Sequence, residues 1–443
     1  MKKNIFDQYN SADSLLVISA YPKKGQIYSK GVCAVSSFAK NTLLRLKKEN
    51  PNRKIIVLTI ELGKKESYIE DDILVIRCFK RNSVFSFKNL LVQVLRFGKV
   101  KDILIEFEFA SFGDTLTTSM VAPFVLLLSL LRKNISLVIH QVLFDIGSLS
   151  GHIGVKSNNL KLKILNFGLK WFYFLLTLKA KHIVVLEDEF KKRLSSVCNA
   201  NKITVIPHGV DTNIKKVNGY KVREKLKISK NEFVVLYFGY LTWYKGVDFL
   251  IQSLRDVRKI NGKKIRLLIA GGPSFTQEKK SHYKRFVAKI NKMIKSSPNV
   301  ISTGFVEEKD ITGIFEASDL TVFPYRTFMS SSGPLSLAIS HKKPFILSRN
   351  LSHITESLDI KRLLKTLNMN KKDLVFDLNK KSLVKTITQA TNPKLSQKML
   401  EFSRMLYRER SFENLSRAYK QMLNEKSQKE FVNSYEVSVD NLS

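Results

Sequence analysis

The chain has 443 residues, 44% of them hydrophobic, and more than one core usually supports, so two domains with ample apolar content are expected. Lys and Arg number 75 against 38 Asp and Glu, and this net charge of +37 would draw the protein toward nucleic acid, anionic membrane or phosphorylated substrates, although its spread along the chain also fits a general lysine bias. The widely separated Cys33, Cys78 and Cys198 match no metal or redox spacing, which suits a reducing cytoplasm.

In chain order, Asp7 and Asp13 interrupt the start, and the first apolar run, Leu15 to Ser19, has only strand length; no secretory leader is expected. Leu15 to Ala20 reads as a strand, followed by a loop with Pro22, Gly25, Ser29 and Gly31 and an amphipathic helix to about Lys48. Further strands are expected at Lys54 to Ile60, Ile73 to Arg77, Asp102 to Glu106, Ser136 to His140, Lys181 to Leu186 and Ile203 to Pro207. Two intervening segments are unusually apolar. Residues 116–131 lack charge but are short for a span and contain Pro123, so a helix packed on a sheet is expected. Residues 164–178 hold Trp171, Phe172, Tyr173 and Phe174, include Lys170 and are flanked by Lys156, Lys161, Lys163, Lys179 and Lys181. That pattern fits an interfacial helix, so contact with an anionic membrane surface is expected through 156–181.

At Pro207 to Asp211 the pattern pauses, and a polar, lysine-rich stretch runs to Asn231, where the interdomain linker is expected. The second half then restarts the alternation: a strand at Phe233 to Phe238, a turn at Gly239, a helix at Val247 to Lys259 and a strand at Ile265 to Ala270 ending in Gly271-Gly272. A basic helix near Gln277 to Lys295, a strand at Asn299 to Thr303, a helix at Lys309 to Ala317, and strands at Asp319 to Pro324 and from Pro344 follow. Strands alternating with helices predict two parallel, doubly wound α/β sheets.

In such sheets ligands bind beyond the carboxyl ends of the strands, where Gly239, Gly271-Gly272, Gly304 and Ser330 to Gly333 all fall. Ser330, Ser331 and Ser332 precede Gly333-Pro334 and an apolar helical run, so free N–H groups are expected to face the loop and favour a phosphate. A well-capped structural helix would look the same. Lys245, in Gly239-Tyr240-Leu241-Thr242-Trp243-Tyr244-Lys245-Gly246, follows the first strand of the second half and would neutralise a diphosphate there. There is neither a GxGxxG fingerprint nor a GxxxxGK[ST] loop.

At these residues the sequence resembles the retaining glycosyltransferases of family four, which have the GT-B fold: two Rossmann-like domains facing a central cleft. The resemblance rests on ordered motifs: IPHGVD at Ile206 to Asp211, FGYLTWYKGVDFLI at Phe238 to Ile251, LLIAGGP at Leu267 to Pro273, VISTGFV at Val300 to Val306, ASDLTVFPY at Ala317 to Tyr325 and SFENLSRAYKQML at Ser411 to Leu423. It implies an acceptor domain at 1–208, a donor domain at 209–408, a crossing helix at 409–425 and a polar tail at 426–443. It further implies an enzyme that moves a sugar from a nucleotide sugar such as a UDP- or GDP-sugar; with the cysteine usage and the basic-flanked segment at 156–181, a cytoplasmic location peripheral at the inner membrane face is expected. The acceptor would be a lipid-linked or polysaccharide hydroxyl, the configuration would be retained, and neither metal nor other cofactor would be needed.

By the same resemblance His140 and Lys245 are catalytic, and Gly31, Gly239, Tyr240, Gly271, Gly272, Phe305, Val306, Tyr325, Ser330, Ser331, Ser332, Gly333 and Pro334 bind the donor. Two departures stand out. Tyr240 occupies the place where many members have arginine, and Met329 and Leu337 replace the E-x7-E glutamates, the second of which holds the ribose. The competing reading is a catalytically degenerate basic module that binds acidic glycan or a membrane surface. Nucleic acid is disfavoured, because the aromatics are not interleaved with basic residues in a recognition module.

Overall fold

The computed structural model describes residues 5–424 apart from 30, 34, 150, 152–159 and 216. Lys156, the Lys161 side chain and the tail at 426–443 lie outside the described residues. Eight strands form the first sheet: β1 (Leu15–Ile18), β2 (Ile55–Ile60), β3 (Glu66–Glu70), β4 (Ile73–Phe79), β5 (Asp102–Phe107), β6 (Asn134–Ile139), β7 (His182–Val185) and β8 (Ile203–Val205). Their order is β3-β4-β2-β1-β5-β6-β7-β8, and all neighbours run parallel except the β3-β4 hairpin. Strands covered on both faces must be apolar throughout, and β1, β2 and β4 are buried along their whole length.

The two faces of this sheet separate by the period of two. Leu15 and Val17 point into a core shared with Phe38, Leu43 and Leu46 of the helix Val35–Glu49 and with Phe412 and Tyr419 of the helix Phe412–Asn424. Leu16 and Ile18 point the other way, into a core with Phe87, Leu90, Phe124 and Tyr173. Those four side chains come from three helices that layer this second face: Ser86–Arg96, Val121–Leu130 and Leu160–Leu178. The apolar segment at 116–131 is thus helical, as expected, but split at Met120 between the short helix Thr115–Ser119 and Val121–Leu130, and Pro123 sits in the first turn of the latter, where its missing N–H costs nothing.

The second sheet holds β9 (Phe233–Phe238), β10 (Lys259–Ile260), β11 (Lys263–Ala270), β12 (Val300–Gly304), β13 (Leu320–Phe323), β14 (Phe345–Ser348) and β15 (Val375–Phe376). They run β10-β11-β9-β13-β14-β15, with β12 beside β11. Two expectations are corrected here. The helix Val247–Leu254 stops before Lys259, because Lys259 and Ile260 pair antiparallel with Lys264 and Lys263 across a two-residue Asn261-Gly262 turn, both residues at positive φ. The polar stretch to Asn231 is more than linker, since it contains the helix Gly219–Lys225, whose Arg223 is buried and donates to the Ala317 and Glu232 carbonyls and to Asp319. A guanidinium with its donors satisfied can leave water, and that reverses what a charged stretch suggests.

The chain crosses between the sheets twice, and the crossings are tied together. The Val210 N–H donates to the Arg410 carbonyl at 2.8 Å, and the Phe412 N–H donates to the Val210 carbonyl at 3.0 Å. From there the helix Phe412–Asn424 returns to pack against Val35–Glu49 of the first half.

Candidate active site

The carboxyl ends of β9, β11 and β12 and the start of the helix Gly333–Ser340 meet the loop after β1 around one cavity. Gly239, Tyr240, Lys245, Gly271, Gly272, Phe305, Val306, Gly333 and Pro334 line it from the second half; Tyr28, Cys33 and Phe38 face them from the first. The glycines are there for close approach. A β-carbon on Gly271 would lie 1.9 Å from the Gly239 carbonyl oxygen, and one on Gly239 would lie 2.9 Å from Lys245 Nζ and 3.1 Å from the Pro334 ring. The ammonium therefore rests over the Gly239 backbone, beside the first turn of the helix.

Lys245 is buried, and among the described residues no carboxylate pairs with its ammonium; the rings of Tyr325 and Tyr244 lie 5.9 and 6.0 Å away. Burial lowers its pKa from 10.5 to about 8, so it remains mostly protonated at neutral pH. Its loop is held rigidly. Arg326 donates from its backbone to the Tyr244 carbonyl and from its side chain to the Trp243 carbonyl, each at 2.7 Å, and forks onto Asp248 at 2.7 and 3.0 Å.

Ser332 caps the helix Gly333–Ser340, its hydroxyl accepting from the Leu335 N–H at 3.3 Å while Tyr325 OH sits 3.1 Å from the same oxygen. No acceptor among the described residues meets the N–H groups of Ser332 and Gly333. Ser331 departs from the expected pattern of free N–H groups: its N–H donates to the His140 carbonyl at 3.4 Å, and its hydroxyl donates to Glu187 at 2.7 Å. Ser330 is half-buried in the same loop.

Gly31, at φ +81, sits in the loop after β1 without lining the cavity, whereas the following Val32 does. His140 does not line it either. It is buried immediately after β6, with Nε2 3.1 Å from Glu106 and its ring packed edge-on against Phe38 at 4.7 Å. Burial lowers the imidazole to about 4, so the ring is neutral around pH 7, and the same burial raises Glu106 well above its usual range.

Four residues of this site escape a reading of local motifs. Glu187 is buried, with its pKa raised to about 7 by desolvation, and reaches across from the end of β7 to Ser331. Arg410 sits between the last two helices and forks onto Asp359 at 2.6 and 3.0 Å. Arg326 clamps the Lys245 loop. Glu308, the only carboxylate lining the cavity among the described residues, accepts from the N–H groups of Ile27 at 3.1 Å and Tyr28 at 3.0 Å in the facing half. Removing this acceptor by Glu308→Ala is expected to speed amide exchange of Ile27 and Tyr28 by about tenfold or more, because charge-assisted bonds are lost. Hydrogen–deuterium exchange reads this directly, and unchanged protection would show that these bonds do not hold the loop.

Residues 232–378 match the family model for glycosyl transferases group 1. An uncharacterized glycosyltransferase of Methanocaldococcus jannaschii is 21% identical over 34% of this chain and 38% of its own length, so the match spans well under half of that relative. Solved structures match over almost the whole chain. Sucrose-phosphate synthase from Thermosynechococcus elongatus superposes with a TM-score of 0.67 at 13% identity, covering 93% of this chain and 98% of its own. The fold is GT-B. A glycosyltransferase from Rickettsia africae gives 0.63 at 16% identity over 94% and 100%, and Anabaena HepE in complex with UDP gives 0.63 at 15% over 93% and 99%. HepE has also been solved in complex with UDP-glucose. The described cavity lies where the two GT-B halves face each other.

Proposed function

We propose that the protein is a retaining hexosyltransferase that moves a sugar from a UDP- or GDP-sugar to a hydroxyl of a lipid-linked or polysaccharide precursor, with no metal assigned to the site. The observation that carries this reading is a buried, protonated Lys245 without a carboxylate partner among the described residues, set beside the open N–H groups of Ser332 and Gly333. An unpaired buried cation is costly unless an anion joins it, and a helix start with free N–H groups favours the same charge. The match to glycosyl transferases group 1 and the nucleotide held by HepE support a nucleoside diphosphate as that anion.

In the proposed reaction the bond between the sugar C1 and the β-phosphate oxygen breaks, and its electron pair leaves with the diphosphate. Lys245 and the Ser332 and Gly333 N–H groups offset the growing charge. The acceptor oxygen forms its bond to C1 on the same face and passes its proton to the departing phosphate oxygen. His140 has a positioning part in this scheme: its carbonyl fixes the Ser331 N–H, and its neutral ring is spent on Glu106 and Phe38. Ribose contacts cannot come from glutamates at 329 and 337, since Met329 packs on the core and Leu337 lines the cavity as a hydrocarbon.

A donor-hydrolysis screen across nucleotide sugars, with thermal shift by UDP and GDP, tests the reading. Neither hydrolysis nor stabilisation would leave the basic binding module as the better account. A pH series adds a signature. A bound diphosphate raises the lysine pKa above its empty-site value of about 8, so affinity is complete below that pH and declines as pH rises through it. The slope should approach, and not exceed, about tenfold per pH unit, as one coupled proton requires. Calorimetric UDP titrations from pH 7 to 10 measure it, and a flat profile would remove Lys245 from the diphosphate site.

A further inference from the structure

The helical layer on the second face of the first sheet is apolar on its outside as well as its inside. Phe85 is 78% exposed, Leu95 57%, Leu116 66%, Leu130 80%, Phe167 63% and Trp171 50%. Apart from Leu116, which lies in the short helix Thr115–Ser119 packed on the second, these side chains belong to, or directly adjoin, the three helices Ser86–Arg96, Val121–Leu130 and Leu160–Leu178, which are neighbours: Phe87 of the first meets Phe124 of the second at 5.3 Å, and the second packs on the third. Most of the exposed large hydrophobic side chains among the described residues fall in this one layer. A soluble surface rarely gathers so much apolar area without a partner.

The charge around it has one sign. Residues 85–101, 115–134 and 160–181 contain no Asp or Glu, whereas Lys88, Arg96, Lys99, Arg132, Lys163, Lys170 and Lys179 are exposed there. We propose that this three-helix layer is a docking face for an anionic lipid bilayer, with the helices lying in the interfacial plane and the lysines and arginines reaching the headgroups. No helix among the described residues is long and apolar enough to cross a membrane, and three basic positions along Leu160–Leu178 (161, 163 and 170) suit an in-plane helix. A second copy of the chain fits poorly, because a two-fold contact would set one acid-free basic face against another. The proposal widens the expected contact at 156–181 to three helices. It rests on the transferase reading only for the idea of a lipid-linked acceptor.

The test is flotation of the full chain with vesicles of phosphatidylglycerol and phosphatidylcholine, and with phosphatidylcholine alone, at low and high salt. Strong flotation with the anionic vesicles is expected, falling by about tenfold or more in neutral lipid and in high salt. Leu130→Glu and Phe85→Glu, on the two helices away from Leu160–Leu178, should each weaken it, as should Trp171→Glu; all three sites are exposed, so unfolding midpoints should hold. Equal flotation on neutral lipid, or loss with Trp171→Glu alone, would overturn the three-helix face. So would a lipid-free dimer, seen by sedimentation, that Leu130→Glu dissociates. UDP thermal shift on the same samples separates the two readings: no flotation with intact UDP binding sinks only the docking face, and flotation without UDP binding sinks only the transferase.

Discussion

Lys245→Ala is expected to lower donor turnover by about 10²- to 10³-fold while leaving the fold intact. One buried charge aimed at a developing anion contributes roughly 3 to 4 kcal/mol to the transition state. Stability should hold or rise slightly. The ammonium is desolvated without a carboxylate partner among the described residues, so its removal deletes a cost and leaves no orphaned charge. Lys245→Arg should not restore activity, since the wider guanidinium would collide with the Gly239 backbone and the Pro334 ring that hem the ammonium in. Initial rates of donor hydrolysis, with unfolding midpoints as control, check both variants. Near-normal turnover in Lys245→Ala would remove the lysine from the reaction.

Most of the second half of this site was legible because its determinants are local. Strands buried on both faces must read as apolar runs, and glycines must stand where loops approach one another, so Gly239, Gly271-Gly272 and Ser332-Gly333-Pro334 announce the cavity by position. Ser332 as the helix cap follows from the same reasoning. Glu187, Arg326, Glu308 and Arg410 were not legible, since each acts on a segment distant in sequence and none belongs to a motif. Glu187 meets Ser331 across 144 positions, and Ile27 meets Glu308 across 281. Asn261-Gly262 is different: it is a two-residue hairpin signal in plain view, passed over by running the helix up to Lys259 and starting the next strand only at Ile265. His140 is a different case. Its place after β6 matched the resemblance, yet its ring is committed to Glu106 and Phe38, which spacing alone does not reveal.

Arg410→Met is expected to cost about 3 kcal/mol of stability and to loosen the cavity as a consequence. The Arg410 side chain is 5% exposed and forks onto Asp359, which keeps 20% of its side chain in solvent; the expected loss therefore sits at the low end of the 3 to 5 kcal/mol typical of a broken buried pair. Arg410 also supplies positive charge near Glu187, and Glu187 holds the Ser331 hydroxyl that fixes the loop before Gly333. The pH dependence has a defined sign. Arg410 holds Asp359 below the ordinary aspartate pKa of 3.8, so the pair stabilises the fold above that pH and the benefit is lost as pH falls through the depressed value. The variant should therefore lag the parent most near neutrality and least in acid, where Asp359 takes a proton in either protein. Arg410→Lys, with one charge and no fork, should recover only part of the loss. Urea unfolding at pH 7 and well below pH 3.8 measures the difference, and UDP thermal shift should shrink in step with it. An unchanged midpoint at pH 7 would mean that this crossing is held by the Val210 backbone bonds alone.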